Sequence, residues 1–236
     1  MSTHEPKGDP VTGPSSLLPD PSLTLKGRHS ICLVPLSPSH TEGLYASLGG
    51  PENDGLYTYM PNEPIHSLDA MAKLVETLIG SPVFFPYAVL STAKYTAVGI
   101  ICYMNMVPEH RCIEIGHVLF GAMLQRTPAS TECNFLLMRY AFEELGYRRV
   151  EWKANDFNEL SKRAALRLGF TAEGVFRKHL VVKGKRRDTA WFSCIDDEWQ
   201  AGVGKALSEW LGKSNFDAEG KQVKRLEEFR QKGECV

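Results

Sequence analysis

Three stretches of the chain carry residue types that could do chemistry. The first is Leu124-Gln125-Arg126-Thr127-Pro128-Ala129-Ser130-Thr131-Glu132, which leaves an apolar, strand-like run and enters a helical pattern. A loop entering a helix gathers free backbone N–H groups at the positive end of the helix dipole, so it can hold a phosphate or pyrophosphate. The second is Asn155, Asn158 and Ser161, at the end of an alternating strand and the start of a helix. A side-chain amide there can bridge two backbones or hold a ligand amide; equally, Asn and Ser are ordinary turn and cap residues. The third is Glu114. It alternates with Ile113 and Ile115 and so projects from the opposite face of its strand. With Cys112 and Gly116 beside it on that face, a carboxylate requires either a site or a buried partner.

The periodicities say which elements must position these residues. Ile31 to Leu36 reads as a strand, and Ser37-Pro38 supplies an N-cap and an N1 proline for a helix through Leu48. Ser67 with Asp69 opens a second helix, with Met71, Leu74, Val75, Leu78 and Ile79 at helical spacing. Strands follow at 84–90, 97–104 and 112–120, and their short connections imply an antiparallel meander. Thr131 to Leu145 is a helix with Phe135, Met138, Phe142 and Leu145 on one face and Gly146 at its end. Val150, Trp152 and Ala154 alternate as a strand, Asn158 caps a helix that Gly169 ends, and 175–182 with 189–194 form a hairpin around Lys183-Gly184. The strand–helix–strand unit in the middle requires two neighbouring parallel strands in an otherwise antiparallel sheet. The expected class is α/β (α+β), a mixed and mostly antiparallel twisted sheet.

Composition bounds the partners. With 27 Lys+Arg against 28 Asp+Glu in 236 residues, the formal charge is −1. Binding of nucleic acid or an anionic membrane through bulk charge is therefore not expected. No apolar run approaches the roughly 18–20 residues of a bilayer span. Met1 is not followed by a charged start and an apolar core, so no secretory signal is read and a soluble, cytoplasmic protein is expected. The six cysteines form no C-x-x-C pair and read as small buried hydrophobes, with no metal. Residues 1–27, with Pro6, Pro10, Pro14, Pro19 and Pro21, read as a disordered arm. Residues 28–195 form the domain, and 196–236 a helical extension with amphipathic segments at 199–211 and 220–232, an appendage or a homodimer contact. Lys183 to Arg187 reads as a solvated basic hairpin tip.

Taken together, Glu114-Ile115-Gly116-His117, the loop Gln125 to Cys133, Asn155-x-x-Asn158-x-x-Ser161, Leu168-Gly169-Phe170 and Glu173-Gly174 follow one another in a telling order and spacing. The pattern resembles the GNAT superfamily of N-acetyltransferases, in the branch like RimJ and RimL, the ribosomal-protein N-terminal acetyltransferases. The resemblance covers Arg28 to Ile195. That branch usually shows E-I-G-[YH], Q-x-x-G-x-A-T-E-A, N-x-x-N-x-x-S, L-G-F and E-G. Here Pro128 replaces the loop's glycine and Ser130 its alanine. Pro128 has no N–H to give a phosphate.

The resemblance implies a GNAT fold with helices on both faces of the sheet. Its central parallel strands, 112–120 and 150–154, would splay apart around acetyl-CoA. It places pantetheine along the backbone of Val118, Leu119 and Phe120. The pyrophosphate would lie on Gln125 and the amides of Arg126, Thr127, Ala129, Ser130 and Thr131, with Asn155, Asn158 and Ser161 as further cosubstrate contacts. The implied reaction is direct acetyl transfer to a neutral amine, which must lose a proton while the leaving thiolate gains one. Glu114 is the candidate base. His117 falls on the other face unless a bulge at Gly116 turns it. The superfamily's usual tyrosine acid falls near Ala165, which cannot donate, so Ser161 is the implied donor to sulfur. Tyr59, Trp191 and His117 are candidates for the acceptor pocket. The acceptor is a small-molecule or peptide amine, with a small or amino acid-like amine preferred. A protein N-terminus, or a catalytically silent CoA-binding module, is the alternative.

Overall fold

The computed structural model describes residues 8–230. Its strands are β1 (Leu25–Lys26), β2 (Ile31–Pro35), β3 (Phe84–Ser91), β4 (Thr96–Val107), β5 (Cys112–Phe120), β6 (Arg149–Asn155), β7 (Thr171–Val182) and β8 (Lys185–Ile195). They form one sheet in the order β1-β2-β3-β4-β5-β6-β8-β7. Only β5 and β6 are parallel, as the strand–helix–strand unit demands.

The helices begin and end where local chemistry dictates. In α1 (Thr41–Leu48) the chain enters through a 3-10 turn opened by Pro38. In α2 (Leu68–Gly80) the Ser67 hydroxyl accepts the Ala70 N–H at 3.1 Å. α3 (Pro128–Arg139) starts earlier than the apolar periodicity indicates, because Pro128 at N1 presets the first helical φ. It then widens into a π turn at Tyr140–Glu144. α4 (Glu159–Leu168) is capped by Asn158 Oδ1 on the Ser161 N–H at 3.1 Å and closed by Gly169 at φ 103°.

Strand alternation divides the core in two. Tyr87, Val89, Ile101, Tyr103, Ile113 and Ile115 face α3 and α4. Ala88, Ile100, Cys102 and Leu119 face α1 and α2. Each fully buried leucine- or isoleucine-sized side chain contributes roughly 1.5–3 kcal/mol of transfer free energy. The sheet is thus covered on both faces over β2–β5.

Two features of β5 position the site. The β5–β6 ladder consists of Cys112–Arg149, Ile113–Val150 and Glu114–Glu151, and beyond it β5 runs on to Phe120 alone on that edge. The two strands therefore part just after Glu114. The β4–β5 ladder also slips between Ile100 and Cys102, where His117 and Val118 oppose Ile101. His117 takes a left-handed φ of 48°. This bulge turns its side chain onto the α1–α2 face, where it packs edge-on against Phe84 with ring centroids 5.7 Å apart. Simple alternation, which puts it on the other face, fails there.

The flanks differ from expectation. Within the proline-rich arm, Ser16 N–H bonds to Pro108 O, Leu17 N–H to Leu145 O, and Asp20 N–H to the Tyr140 hydroxyl. The arm has little to bury but supplies its backbone groups with partners; residues 1–7 lie outside the described part. The buried Glu132 carboxylate on α3 accepts Arg28 N–H at 2.6 Å and His29 N–H at 2.8 Å, fixing the entry to β2. At the other end, α5 (Asp196–Glu198) buries none of its residues, but α6 (Gly204–Trp210) joins the main core. Trp199 between them stacks on Phe142 at 5.1 Å. The second expected helix, at 220–232, is not formed over its described part. Asp217 Oδ1 accepts the N–H groups of Glu219 and Lys221, Gly220 is left-handed at φ 76°, and only Leu226–Glu228 makes a 3-10 turn.

Candidate active site

Glu114 leaves its strand on the α1–α2 face, at the last rung before the strands part. It is buried, and its Oε2 accepts Asn105 Nδ2 at 2.7 Å and Lys153 Nζ at 2.6 Å. Lys153 also lies 2.9 Å from Glu151 and 4.1 Å above the Trp191 ring. Burial works against its charge, but Glu114 and Glu151 outweigh that and hold its pKa above the ordinary lysine value. Arg149 continues the row, bonding Glu151 at 2.8 Å and Glu173 at 2.7 Å. Asn105 and Lys153 were not among the sequence candidates. The visible signal for Lys153 was a lysine alternating with Trp152 in a strand otherwise rich in core residues.

Of the other acceptor-side candidates, His117 and Trp191 lie on this face. His117 Nε2 is buried without a hydrogen-bond partner among the described residues, and burial pushes its pKa down to about 4. It is neutral at pH 7. Trp191 touches Phe176 at 4.7 Å between ring centroids. Tyr59 is half-buried in the turn after the 3-10 helix Pro51–Tyr57. The hairpin tip docks there: Lys183 Nζ donates to Tyr57 O at 2.9 Å and lies 3.5 Å from Glu63. The basic tip is thus partly a tether, not simply a solvated turn, because the β7–β8 hairpin reaches across to the α1–α2 connection.

The opposite side of the gap carries the remaining candidates. In the loop before α3, the Gly121 carbonyl accepts Leu124 and Gln125 N–H groups, and Thr127 N–H bonds to Leu124 O at 3.3 Å. Those amides of Gln125 and Thr127 serve the turn. Arg126 is left-handed at φ 60°. Ala129 and Ser130 lie in the first turn of α3, whose N–H groups have no acceptor within the helix. Pro128 removes only one donor from this set. The Ser130 hydroxyl donates to Thr127 O at 2.8 Å, and Thr131 Oγ1 accepts from Arg167 at 2.8 Å. Arg126, Ala129 and Ser130 therefore provide amides suited to a phosphate at the helix N-terminus. Val118, Leu119 and Phe120 lie on the length of β5 that has left β6.

Asn155 and Asn158 act locally. Asn155 Oδ1 accepts Phe157 N–H at 3.0 Å, and Asn158 Oδ1 is the α4 cap. Ser161 Oγ accepts Trp152 Nε1–H at 3.0 Å. An indole N–H can only donate, so the serine's own proton is free to point elsewhere. Trp152 belongs to the α3–α4 core, so Ser161 and Glu114 stand on opposite sides of the sheet where it opens. Ala165 is fully buried beneath.

Residues 30–171 match the family profile described as an acetyltransferase (GNAT) domain. The chain belongs to the GNAT acetyltransferase family. A GCN5-related N-acetyltransferase from Brucella melitensis superposes with a TM-score of 0.88 at 37% identity, covering 92% of this chain and 97% of that one. A probable GNAT acetyltransferase from Chromobacterium violaceum gives 0.74 at 35% identity, covering 83% and 100%. Among curated relatives, a putative ribosomal N-acetyltransferase from Bacillus subtilis, YdaF, is 33% identical over 102 residues, 43% of this chain. The chain matches about half, 55%, of that relative's length. The Brucella likeness reaches beyond 30–171, so the flanks of this GNAT domain share in it.

Proposed function

We propose that the protein is a cytoplasmic, acetyl-CoA-dependent N-acetyltransferase that passes an acetyl group directly to the primary amine of a small, amino acid-like acceptor. The observation carrying this reading is the opening between β5 and β6, with Glu114 on one side and Ser161 on the other. Acetyl-CoA supplies the acetyl group as an activated thioester. The amides of Arg126, Ala129 and Ser130 would hold its phosphates, and the free edge of Val118 to Phe120 its pantetheine amides. Asn155 and Asn158 shape the turn that presents Ser161.

In this reading Glu114 is the base. Asn105 and Lys153 occupy Oε2, which leaves Oε1 for the acceptor's proton. Lys153 remains an ammonium and fixes the carboxylate's orientation. Ser161 gives a hydrogen bond to the departing sulfur. Tyr59, Trp191 and His117 wall the acceptor side, and the docked hairpin tip closes it, which favours a small amine. The name of the YdaF relative favours a protein N-terminus as a second reading.

The test is thermal stability with acetyl-CoA, followed by CoA release across an amine panel. Saturating acetyl-CoA raises the melting temperature, because it binds only the folded state. Glu114→Gln keeps that shift while turnover falls roughly 10²–10⁴-fold, as loss of a general base requires. A melting temperature indifferent to acetyl-CoA overturns the reading.

A further inference from the structure

Alternation along β8 puts Arg187, Thr189, Trp191 and Ser193 on one face. Trp191 pairs with Lys153 and Ser193 with Glu151, so this is the face of Glu114. Arg187 is half-buried there, and its Nε is sealed from solvent with no hydrogen-bond partner among the described residues. The nearby carboxylates are already engaged. Arg186 holds Asp188 at 2.6 Å, and Lys153 holds Glu114 at 2.6 Å.

A guanidinium keeps its proton, so burial leaves Arg187 a positive charge without a contact anion among the described residues. Burial lowers its pKa, and the field of Glu114 offsets this only in part. Trp191 Nε1 on the same face is a second buried donor without an acceptor among the described residues. Buried donors of this kind are nearly always satisfied in a working protein, so their acceptor is expected from a ligand. The phosphate-binding amides cannot be meant, because the N-terminus of α3 lies on the other face of the sheet.

We propose that Arg187 binds a carboxylate of the acceptor. The favoured acceptor is then an amine that carries a carboxylate, such as a free amino acid. An alkylamine lacks that group, and a peptide N-terminus offers only an uncharged carbonyl in its place. Arg187 selects the acceptor and takes no part in bond making; Trp191 Nε1–H is the second donor to the same group. This inference rests on the acetyl-transfer reading above.

The experiment uses the full chain with saturating acetyl-CoA. Transfer is measured to free L-amino acids, to their carboxamides and to the corresponding decarboxylated amines. The wild type favours the carboxylate form by roughly ten- to a hundred-fold in kcat/KM, the value of a charged hydrogen bond, with most of the difference in KM. Arg187→Gln abolishes that preference, its kcat/KM falling most with the carboxylate form, while Arg187→Lys keeps part of it. Equal use of all three forms by the wild type, a preference for the carboxamides, or a uniform loss with all acceptors in Arg187→Gln overturns the proposal. If Arg187→Gln fails to fold, the wild-type comparison and Arg187→Lys decide it. Transfer to none of these compounds also overturns it. A retained acetyl-CoA melting shift separates that failure from loss of cosubstrate binding, which sinks the transferase reading itself.

Discussion

His117 makes the protein's stability fall on mild acidification. Its imidazole is buried on the bulge of β5 against Phe84, and its pKa drops from 6.5 to about 4. Because the folded value is the lower one, the unfolded chain takes up the proton first. The contribution is intact above pH 6.5, declines as pH falls from there, and is gone below about 4. A shift of this size is worth about 3 kcal/mol in full, and about 2 kcal/mol between pH 7 and pH 5. Urea unfolding at those two pH values, for wild type and His117→Gln, measures it. The wild type loses about 2 kcal/mol more than the variant over that interval. His40 is also shifted down by burial, but it contributes to both proteins and cancels. An identical pH dependence in the two proteins refutes the reasoning.

Ser161→Ala removes the acceptor of the Trp152 indole N–H, so it lowers stability by about 1–2 kcal/mol and slows turnover while acetyl-CoA still binds. Adding Trp152→Phe restores part of the stability and none of the turnover, as denaturation and steady-state rates will show. Glu132→Gln leaves a backbone N–H of Arg28 or His29 without its acceptor and costs about 1–3 kcal/mol in urea unfolding. An unchanged midpoint would mean that the turn into β2 is held by something else. Arg149 holds the Glu173 carboxyl down to about 2. That contribution is present above the ordinary carboxylate range and is lost as pH falls toward 2. Glu173→Gln therefore flattens the acid limb of the stability profile; a parallel limb counts against the pair.

The antiparallel meander and the parallel pair were legible because strong apolar alternation and the strand–helix–strand unit leave few arrangements. Asn158 and Gly169 were legible for the same kind of reason, since a cap and a left-handed C′ residue follow from local sterics. His117 was not, because the one-residue bulge reverses the alternation from that point on: Ile115 faces α3 and α4, but Leu119 faces α1 and α2. Lys153 and Glu114 are 39 positions apart, and their contact depends on strand register, which no local pattern encodes. Arg187 looked like part of a soluble tip because charge composition does not say which member of a basic run turns inward. At 220–232 the amphipathic pattern was real, but a turn at Asp217 and Gly220 and the burial of Leu226 satisfied it differently.

The arm's backbone bonds run from Ser16, Leu17 and Asp20 to Pro108, Leu145 and Tyr140, all much later in the chain. During synthesis the arm emerges before these partners, so it must wait unbound until Leu145 has left the ribosome before it can settle. Contacts of such sequence separation form late and slowly. The growing chain therefore carries the arm's backbone groups unpaired until residues 108–145 have emerged. A chaperone or a protease would read the same unpaired stretch, which closes only once Leu145 has left the ribosome.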